Sequence, residues 1–412
     1  VLAEDRAFEQ VPGNPGGEPY GPSSPSVEGS PARPAPETSG WLEQFEVEHD
    51  NFRAALDWLI ENTEAEWGLR LGTALLQFWE EREHQAEGRE RLERLLSLPG
   101  AAARTRLRAR ALFAQGVLTG NADLSAARVL HEKGLQISRE LDDKRGVAVA
   151  LNAIAVCAQK QGDLEDSRSS FEESLALWKE LGDPVAVARA LSNLASVARL
   201  GGRPGEARAL FQECLALSRQ LGDRAGAAWA LNQQGDVARE QGDFAAAGHA
   251  YEESLAIFRE LGDRWGIAGS LVDMGNLARE QGDFEAADRL YAQSLGVFRE
   301  LDYKRGIARL LEAFACSAAG RSQPERSLRL AGAASALRHT LGAPPAPAEQ
   351  SRLEKNLEPA RQALTNTAGA AAWMEGWGMP VEEAIRQAVG GSNEIRNSKF
   401  ETRNKSESPK SE

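Results

Sequence analysis

The five histidines and three cysteines are the side chains best suited to hold a metal or attack a carbonyl, and their spacing argues against both. His49, beside Asp50, lies in a helical apolar stripe, where a buried structural histidine outweighs a ligand. His84, His131, His249 and His339 are scattered, no HExxH occurs, and no cysteine has a histidine at helical spacing. No metal site, catalytic residue or cofactor is therefore expected. There is no GxSxG elbow to present a serine and no GxxxxGK[ST] loop to cradle phosphates, so ATP binding is not expected either. Carboxylates are plentiful, as in the FEES and YEES segments near Glu172 and Glu252, but they recur opposite the apolar stripe, as solvated surface does. Arginine holds more promise. Arg199, Arg239 and Arg279 are evenly spaced and form a ladder able to take carboxylates, although Glu240 and Glu280 follow two of them and dilute the field.

That spacing belongs to the chain as a whole. LGD occurs at Leu181, Leu221 and Leu261, with LDD at Leu141, LDY at Leu301 and LGA at Leu341. Midway between these fall QGD at Gln161, Gln241 and Gln281 and GGRP at Gly201, so the chain breaks twice in each period. In each break the Gly can take the left-handed conformation that ends a helix, and the following Asp can cap the next one, as at Gly262 and Asp263 or Gly282 and Asp283. Between breaks the apolar spacing is helical. Leu231, Gln234, Gly235 and Ala238 share one face, and Ala247, Tyr251, Ser254 and Leu255 another. Each 40-residue unit reads as a helical hairpin, and about six are expected.

The 412 residues are 42% hydrophobic, enough for a sizeable core. A net charge of −13 disfavours direct nucleic acid binding, which calls for a basic face. Cys157, Cys214 and Cys316 lie far apart with no CxxC pair, which fits a reducing cytoplasm. Charges interrupt every apolar run before the roughly 18 residues of a membrane span, so no membrane association is expected. Residues 1–40 hold eight of the eighteen prolines and read as a disordered leader, and 390–412, with the near-duplicates EIRNSKF and ETRNKSE, as a disordered tail. The first residue, Val1, fits a trimmed fragment or an alternative start.

The repeat resembles the tetratricopeptide signature of large, large, small, large, then small, aromatic, small. Leu271, Met274, Gly275, Ala278, Ala287, Tyr291 and Ser294 carry it, as do Leu191, Leu194, Ala195, Ala198, Ala207, Phe211 and Cys214, and Leu151, Ile154, Ala155, Ala158, Ser167, Phe171 and Ser174. Weaker copies cover 106–145 and 306–341, where Ala331 replaces the aromatic. The resemblance implies an all-α, right-handed superhelix (TPR solenoid) with flanking helices. Its array would run from 106 to 345, after a helical segment at 41–105 and before a C-terminal helical cap at 346–389.

The segment WLEQFEVEHDNFRAALDW from Trp41, with its stripe of Phe45, His49, Phe52, Leu56 and Leu59, is followed by helices expected at Trp67 to Trp79 and Gly88 to Leu98. With EGRERLERLL at Glu87 and AAAWMEGWGMPVEEAIRQAV at Ala370, it resembles the C-terminal repeat domain of bacterial STAND-class ATPases, including large LuxR-type transcriptional regulators. The resemblance implies a non-enzymatic protein- or peptide-binding scaffold, the sensor or regulatory module of such a regulator without its ATPase. A free-standing receptor for a small ligand or signalling peptide is the alternative. Its partner would be a protein or peptide, with an ATPase domain encoded upstream as a further partner.

Tetratricopeptide arrays line their concave face with the first helix of each hairpin. By repeat position that face holds Arg189, Ser192, Asn193, Ser196 and Arg199, then Trp229, Asn232, Gln233, Asp236 and Arg239, then Asp273, Asn276 and Arg279. Amides there can bond a peptide backbone. Such side chains are expected to be dispensable for the contacts within a hairpin.

Overall fold

At most breaks the chain turns on the same two groups, a glycine and the aspartate after it. Gly162, Gly182, Gly202, Gly222, Gly242, Gly262 and Gly282 all have φ between 64° and 87°, where a Cβ would clash with the backbone. Where the motif lacks glycine, Asp142, Asp302 and Ser322 take the same left-handed conformation. The aspartate that follows a break caps the next helix. Asp143 accepts from Gly146 N, Asp183 from Ala186 N, Asp223 from Gly226 N, Asp263 from Gly266 N and Asp283 from Ala286 N. Each such cap stabilises its helix by about 1 kcal/mol.

The computed structural model describes residues 39–390 apart from 83, 121, 343, 344 and 346. The expected disordered leader and tail thus lie almost wholly outside the described residues. Among the described residues, five α-helices precede the repeats: α1 Ser39–Val47, α2 His49–Glu61, α3 Ala65–Ala74, α4 Leu76–Glu81 and α5 Gln85–Leu96. The single helix expected from Trp67 to Trp79 is broken at Leu75. Six hairpins follow: α6 Arg106–Gly120 with α7 Leu124–Glu140, α8 Lys144–Gln161 with α9 Leu164–Leu181, and α10 Pro184–Leu200 with α11 Pro204–Leu221. The rest are α12 Arg224–Glu240 with α13 Phe244–Leu261, α14 Arg264–Glu280 with α15 Phe284–Glu300, and α16 Lys304–Gly320 with α17 Pro324–Thr340. Three helices close the described chain: α18 Pro347–Gln362, α19 Asn366–Trp377 and α20 Val381–Val389. The architecture is an all-α solenoid, and no helix among the described residues is long and apolar enough to cross a membrane.

Within a hairpin an aromatic ring of the second helix wedges against a small residue of the first. Phe171, Phe211, Tyr251 and Tyr291 are fully buried. A Cβ on Gly235 would stand 2.5 Å from the Tyr251 ring, and one on Gly275 2.5 Å from that of Tyr291. The two repeats with phenylalanine have Ala155 and Ala195 at the corresponding place. The other small position does more than leave room. Ser174, Ser254 and Ser294 donate their hydroxyls to Ala148, Ala228 and Ala268 carbonyls, and Cys214 donates its thiol to Ala188, each across 26 residues. Burial pushes the Cys214 thiol up to about 12 and that of Cys316 up to about 11, so both are inert at neutral pH.

Hairpins stack with their first helices touching one another along one side, so α8, α10, α12, α14 and α16 line the inner face. On the outside, charge pairs recur at fixed offsets: Arg139 to Glu173 and Arg219 to Glu253 across 34 residues, Lys144 to Glu180 and Arg224 to Glu260 across 36 residues. Arg264 and Glu300 repeat the second of these offsets. Exposed pairs of this kind add little individually. In the sixth hairpin, where Ala331 stands at the aromatic position, α19 lies against α17 at backbone distance. A Cβ on Gly332 would meet the Trp373 carbonyl and one on Gly376 the Arg329 carbonyl, both closer than any real contact.

Gly275→Ala is expected to destabilise the protein by about 1 to 3 kcal/mol through overpacking against Tyr291. The double change Gly275→Ala/Tyr291→Phe, which copies the natural pairing of the earlier repeats, should recover part of that loss. Urea denaturation of the three proteins is the measurement, and a single variant as stable as wild type would refute the wedge.

Candidate functional site

Most of the thirteen residues expected on the inner face are buried, and they bond one another rather than facing solvent. On α10, Ser192, Asn193, Ser196 and Arg199 are buried and Arg189 is partly so, with burial pulling the Arg189 pKa down. Ser196 returns its hydroxyl to the Ser192 carbonyl, and Asn193 donates to Asn152 one repeat back at 2.9 Å. Trp229 belongs to the hairpin interior, where its ring lies 4.6 Å from that of Phe258. Gln233 is buried on the same helix, α12.

The centre of the face is a buried polar network. Asn232 donates to Asp273 at 2.8 Å, across 41 residues. The Tyr251 hydroxyl donates to Asp236 at 2.8 Å and accepts from Arg239 Nε at 3.2 Å. One repeat on, the Tyr291 hydroxyl donates to Asn276 at 2.8 Å. These bonds overturn the expectation that Arg239 and Asn276 are dispensable for hairpin contacts. They hold the wedge residues themselves. Repeats with Phe171 and Phe211 need no such acceptor and carry Val156 and Ser196 at the equivalent place.

The arginine ladder exists, and two of its three charges are paired across repeats within the protein. Arg199 pairs with Glu240 and Arg239 with Glu280, each arginine reaching a glutamate of the next repeat. Burial opposes the charge on Arg239, but Asp236, Tyr251 and Glu280 outweigh it and keep the guanidinium protonated. The glutamates that dilute the field in sequence thus do so in space, one repeat away. Arg279, partly buried, breaks the pattern, because the equivalent position in the repeat after it is Gly320.

Next to Arg279 a cavity of about 90 Å³ opens between α12, α14, α16, α17 and α18. Arg239, Arg279, Arg309, Arg338 and Arg352 line it with Glu280, Glu312 and Glu349, five arginines against three glutamates, together with Asn276 and Asn356. Arg338 is neutralised by both oxygens of Glu312, at 2.6 and 3.0 Å. Arg352 and Asn356 were not expected, because α18 reaches the inner face from outside the repeat register, whereas Arg309 and Arg338 belong to the sixth hairpin, Arg309 at the register position of Arg189 and Trp229. Among the described residues, one cluster of three metal-ligating groups occurs, outside this face, at Glu46, His49 and His84.

Asp273 is buried, and burial together with the neighbouring Asp236 holds its pKa well above the ordinary carboxylate range. The folded state therefore binds this proton more tightly than the unfolded chain. Its stabilising effect is complete below the unfolded value of about 3.9 and is lost as pH climbs towards the folded one. Asp273→Asn, which keeps an acceptor for Asn232 as the natural Asn193 and Asn152 pair does, should gain on wild type as pH rises. Thermal melts at pH 4 and pH 8 test this, and an equal difference at both would refute it.

Comparison with known proteins places this geometry. Family models described as tetratricopeptide repeat match residues 147–181 and 186–260. No curated protein matches the chain. Aspartyl phosphate phosphatase F from Bacillus subtilis is similar in structure, with a TM-score of 0.53 at 11% identity over 82% of this chain and 94% of that one. A Rap protein complexed with Competence and Sporulation Factor has a TM-score of 0.51 at 13% identity, over 80% and 99%. The apo form of RapI has 0.52 at 12%, over 65% and 99%. At such identities the likeness is one of fold. Repeat spacing, wedge residues, family models and structural neighbours agree that this chain carries tetratricopeptide repeats in an all-α solenoid.

Proposed function

We propose that the protein is a non-enzymatic scaffold that binds a protein or peptide on its inner face, the sensor and regulatory module of a bacterial signalling or transcriptional regulator whose ATPase domain is absent from this sequence. The observation that carries the binding reading is the arginine-rich cavity beside Arg279. Arg239 and Arg338 are paired there with Glu280 and Glu312, whereas Arg279, Arg309 and Arg352 line the same cavity with one further carboxylate, Glu349, and two side-chain amides. A guanidinium fork in such a place recognises carboxylate, and the amides suit a peptide backbone. The ligand class is therefore a peptide or protein segment bearing acidic side chains or a free carboxyl terminus. A Rap protein of similar fold, solved with Competence and Sporulation Factor, supports a bound factor as the kind of ligand this architecture takes.

The regulatory context rests on the helices before the repeats and on the missing GxxxxGK[ST] loop. Such a module would sense, and chemistry on ATP would belong to another domain. A second reading, a free-standing receptor for a small ligand or signalling peptide, is favoured by the closure of the cavity by α18, since a volume of about 90 Å³ suits a single small anionic group.

Fluorescence polarisation with matched acidic and neutral peptides tests the binding reading. The acidic peptides should bind more tightly, and Arg309→Ala or Arg352→Ala should each weaken them about tenfold, which corresponds to about 1.4 kcal/mol. Arg219→Ala, on the outer face, should change nothing. Equal binding of both peptide classes, or no effect of the cavity variants, would remove the reading.

A further inference from the structure

Outside the repeat array, the turn before α2 and the turn before α5 bring two histidines together. His49 opens α2 and His84 immediately precedes α5, and their rings lie tilted at 41° with centroids 4.2 Å apart. His49 is 6% exposed. Phe78 packs edge-on against His49 at 5.0 Å and tilted against His84 at 5.5 Å, which shields the pair on one side.

Both Nε2 atoms are buried and neither makes a hydrogen bond. His49 Nε2 lies 3.2 Å from Glu87 Oε2 but out of line for one, and His84 Nε2 lies 3.6 Å from Glu46 Oε1, too long for one. One ligand-type atom from each of Glu46, His49 and His84 falls within 4.8 Å of the others. A buried imidazole nitrogen left without a partner is costly, and two of them near a carboxylate oxygen are costlier unless something accepts their lone pairs.

The carboxylates are differently engaged. Burial pushes the Glu87 pKa up, but hydrogen bonds from Arg53 and Arg91 and the nearby His49 outweigh it and hold the group at about 2. Arg53 takes both Glu87 oxygens and Arg91 one, so Glu87 is committed to structure. Glu46 is not. Its Oε2 faces Arg82 at 3.7 Å and its Oε1 is turned to the histidines.

We propose that His49, His84 and Glu46 form a binding site for a divalent transition-metal ion of the zinc class. Two imidazoles and one carboxylate are a donor set that zinc accepts in four-coordinate geometry, with a fourth position left for water. Metal–nitrogen and metal–oxygen bonds of about 2.0 to 2.2 Å need only a small closing movement of groups already this near. The site is structural in position: it ties α1 to the start of α5 and so fixes the helices that lead into the repeat array.

The test uses untagged full-length chain, stripped with chelator and dialysed, and titrated with Zn²⁺ against a chromophoric competitor. One Zn²⁺ per chain should bind, and thermal melting should shift upward with the metal. Co²⁺ should give visible absorption bands of a nitrogen- and oxygen-ligated ion. His84→Ala should weaken Zn²⁺ by more than about 100-fold, beyond the loss usual for an outer-shell partner. Glu46→Gln, at an exposed position that the fold does not need, should weaken it at least about tenfold, and His249→Ala should not change it. Failure to bind stoichiometrically overturns the proposal, as does Zn²⁺ affinity unchanged by both His84→Ala and Glu46→Gln. Circular dichroism establishes that the variants remain folded, and should His84→Ala lose its helicity the Glu46→Gln result decides.

Discussion

The close approach of an aromatic ring to a residue without a side chain, or nearly so, is the contact on which the rest of this molecule depends. Tyr291 against Gly275 and Tyr251 against Gly235 leave no room for a further carbon, so the two helices of each hairpin meet at one separation and one register. Because the contact recurs with the repeat, each hairpin presents the same face to the next, and stacking buries surfaces that no single hairpin can bury alone. The 26-residue bonds from Ser174, Cys214, Ser254 and Ser294 to first-helix carbonyls lock that register in the other direction. A hydroxyl or thiol of that size fits, and its buried donor is satisfied.

The same wedge explains the polar inner face. A tyrosine in the wedge carries a hydroxyl into the interior, and a buried hydroxyl needs a partner. Asp236 and Asn276 supply it, and Arg239 balances Asp236. The arginine then brings a charge that must itself be matched, and Glu280 of the next repeat matches it. The hydroxyl is matched within its own hairpin and the arginine one repeat further along, so the chain of arginine–glutamate pairs ends where the repeat decays. It decays at Gly320, and there the protein leaves a cavity in which guanidiniums outnumber carboxylates and across which α18 is laid. Reading the face as a uniform binding surface misses this distinction between an interior whose arginines pair across repeats and an end where guanidiniums outnumber carboxylates.

The periodic features were legible in the residues because they are local. A glycine in a left-handed turn, an aspartate capping the helix after it and a small residue one helix ahead of an aromatic each follow from a short stretch of chain, and repetition turns weak signals into a fold. Ala331 was visible as an exception, but not the close approach beside it, because Gly332 meets Trp373 on a helix outside the repeat. Gln234 and Gly235 likewise mark a face without saying how deeply the following Asp236 is buried.

What the order of residues determined, then, was the hairpin, its period and the identity of its wedge, since these depend on spacing along one or two adjacent helices. What only the folded chain decided was which polar groups are spent on one another. Arg199 with Glu240, Asn232 with Asp273 and His49 with His84 come from helices that are not consecutive in the chain, and nothing local couples them. Their distances are set by the small rotation between successive hairpins and by the path of the flanking helices, quantities that accumulate over the whole stack and have no signature in any short stretch of sequence.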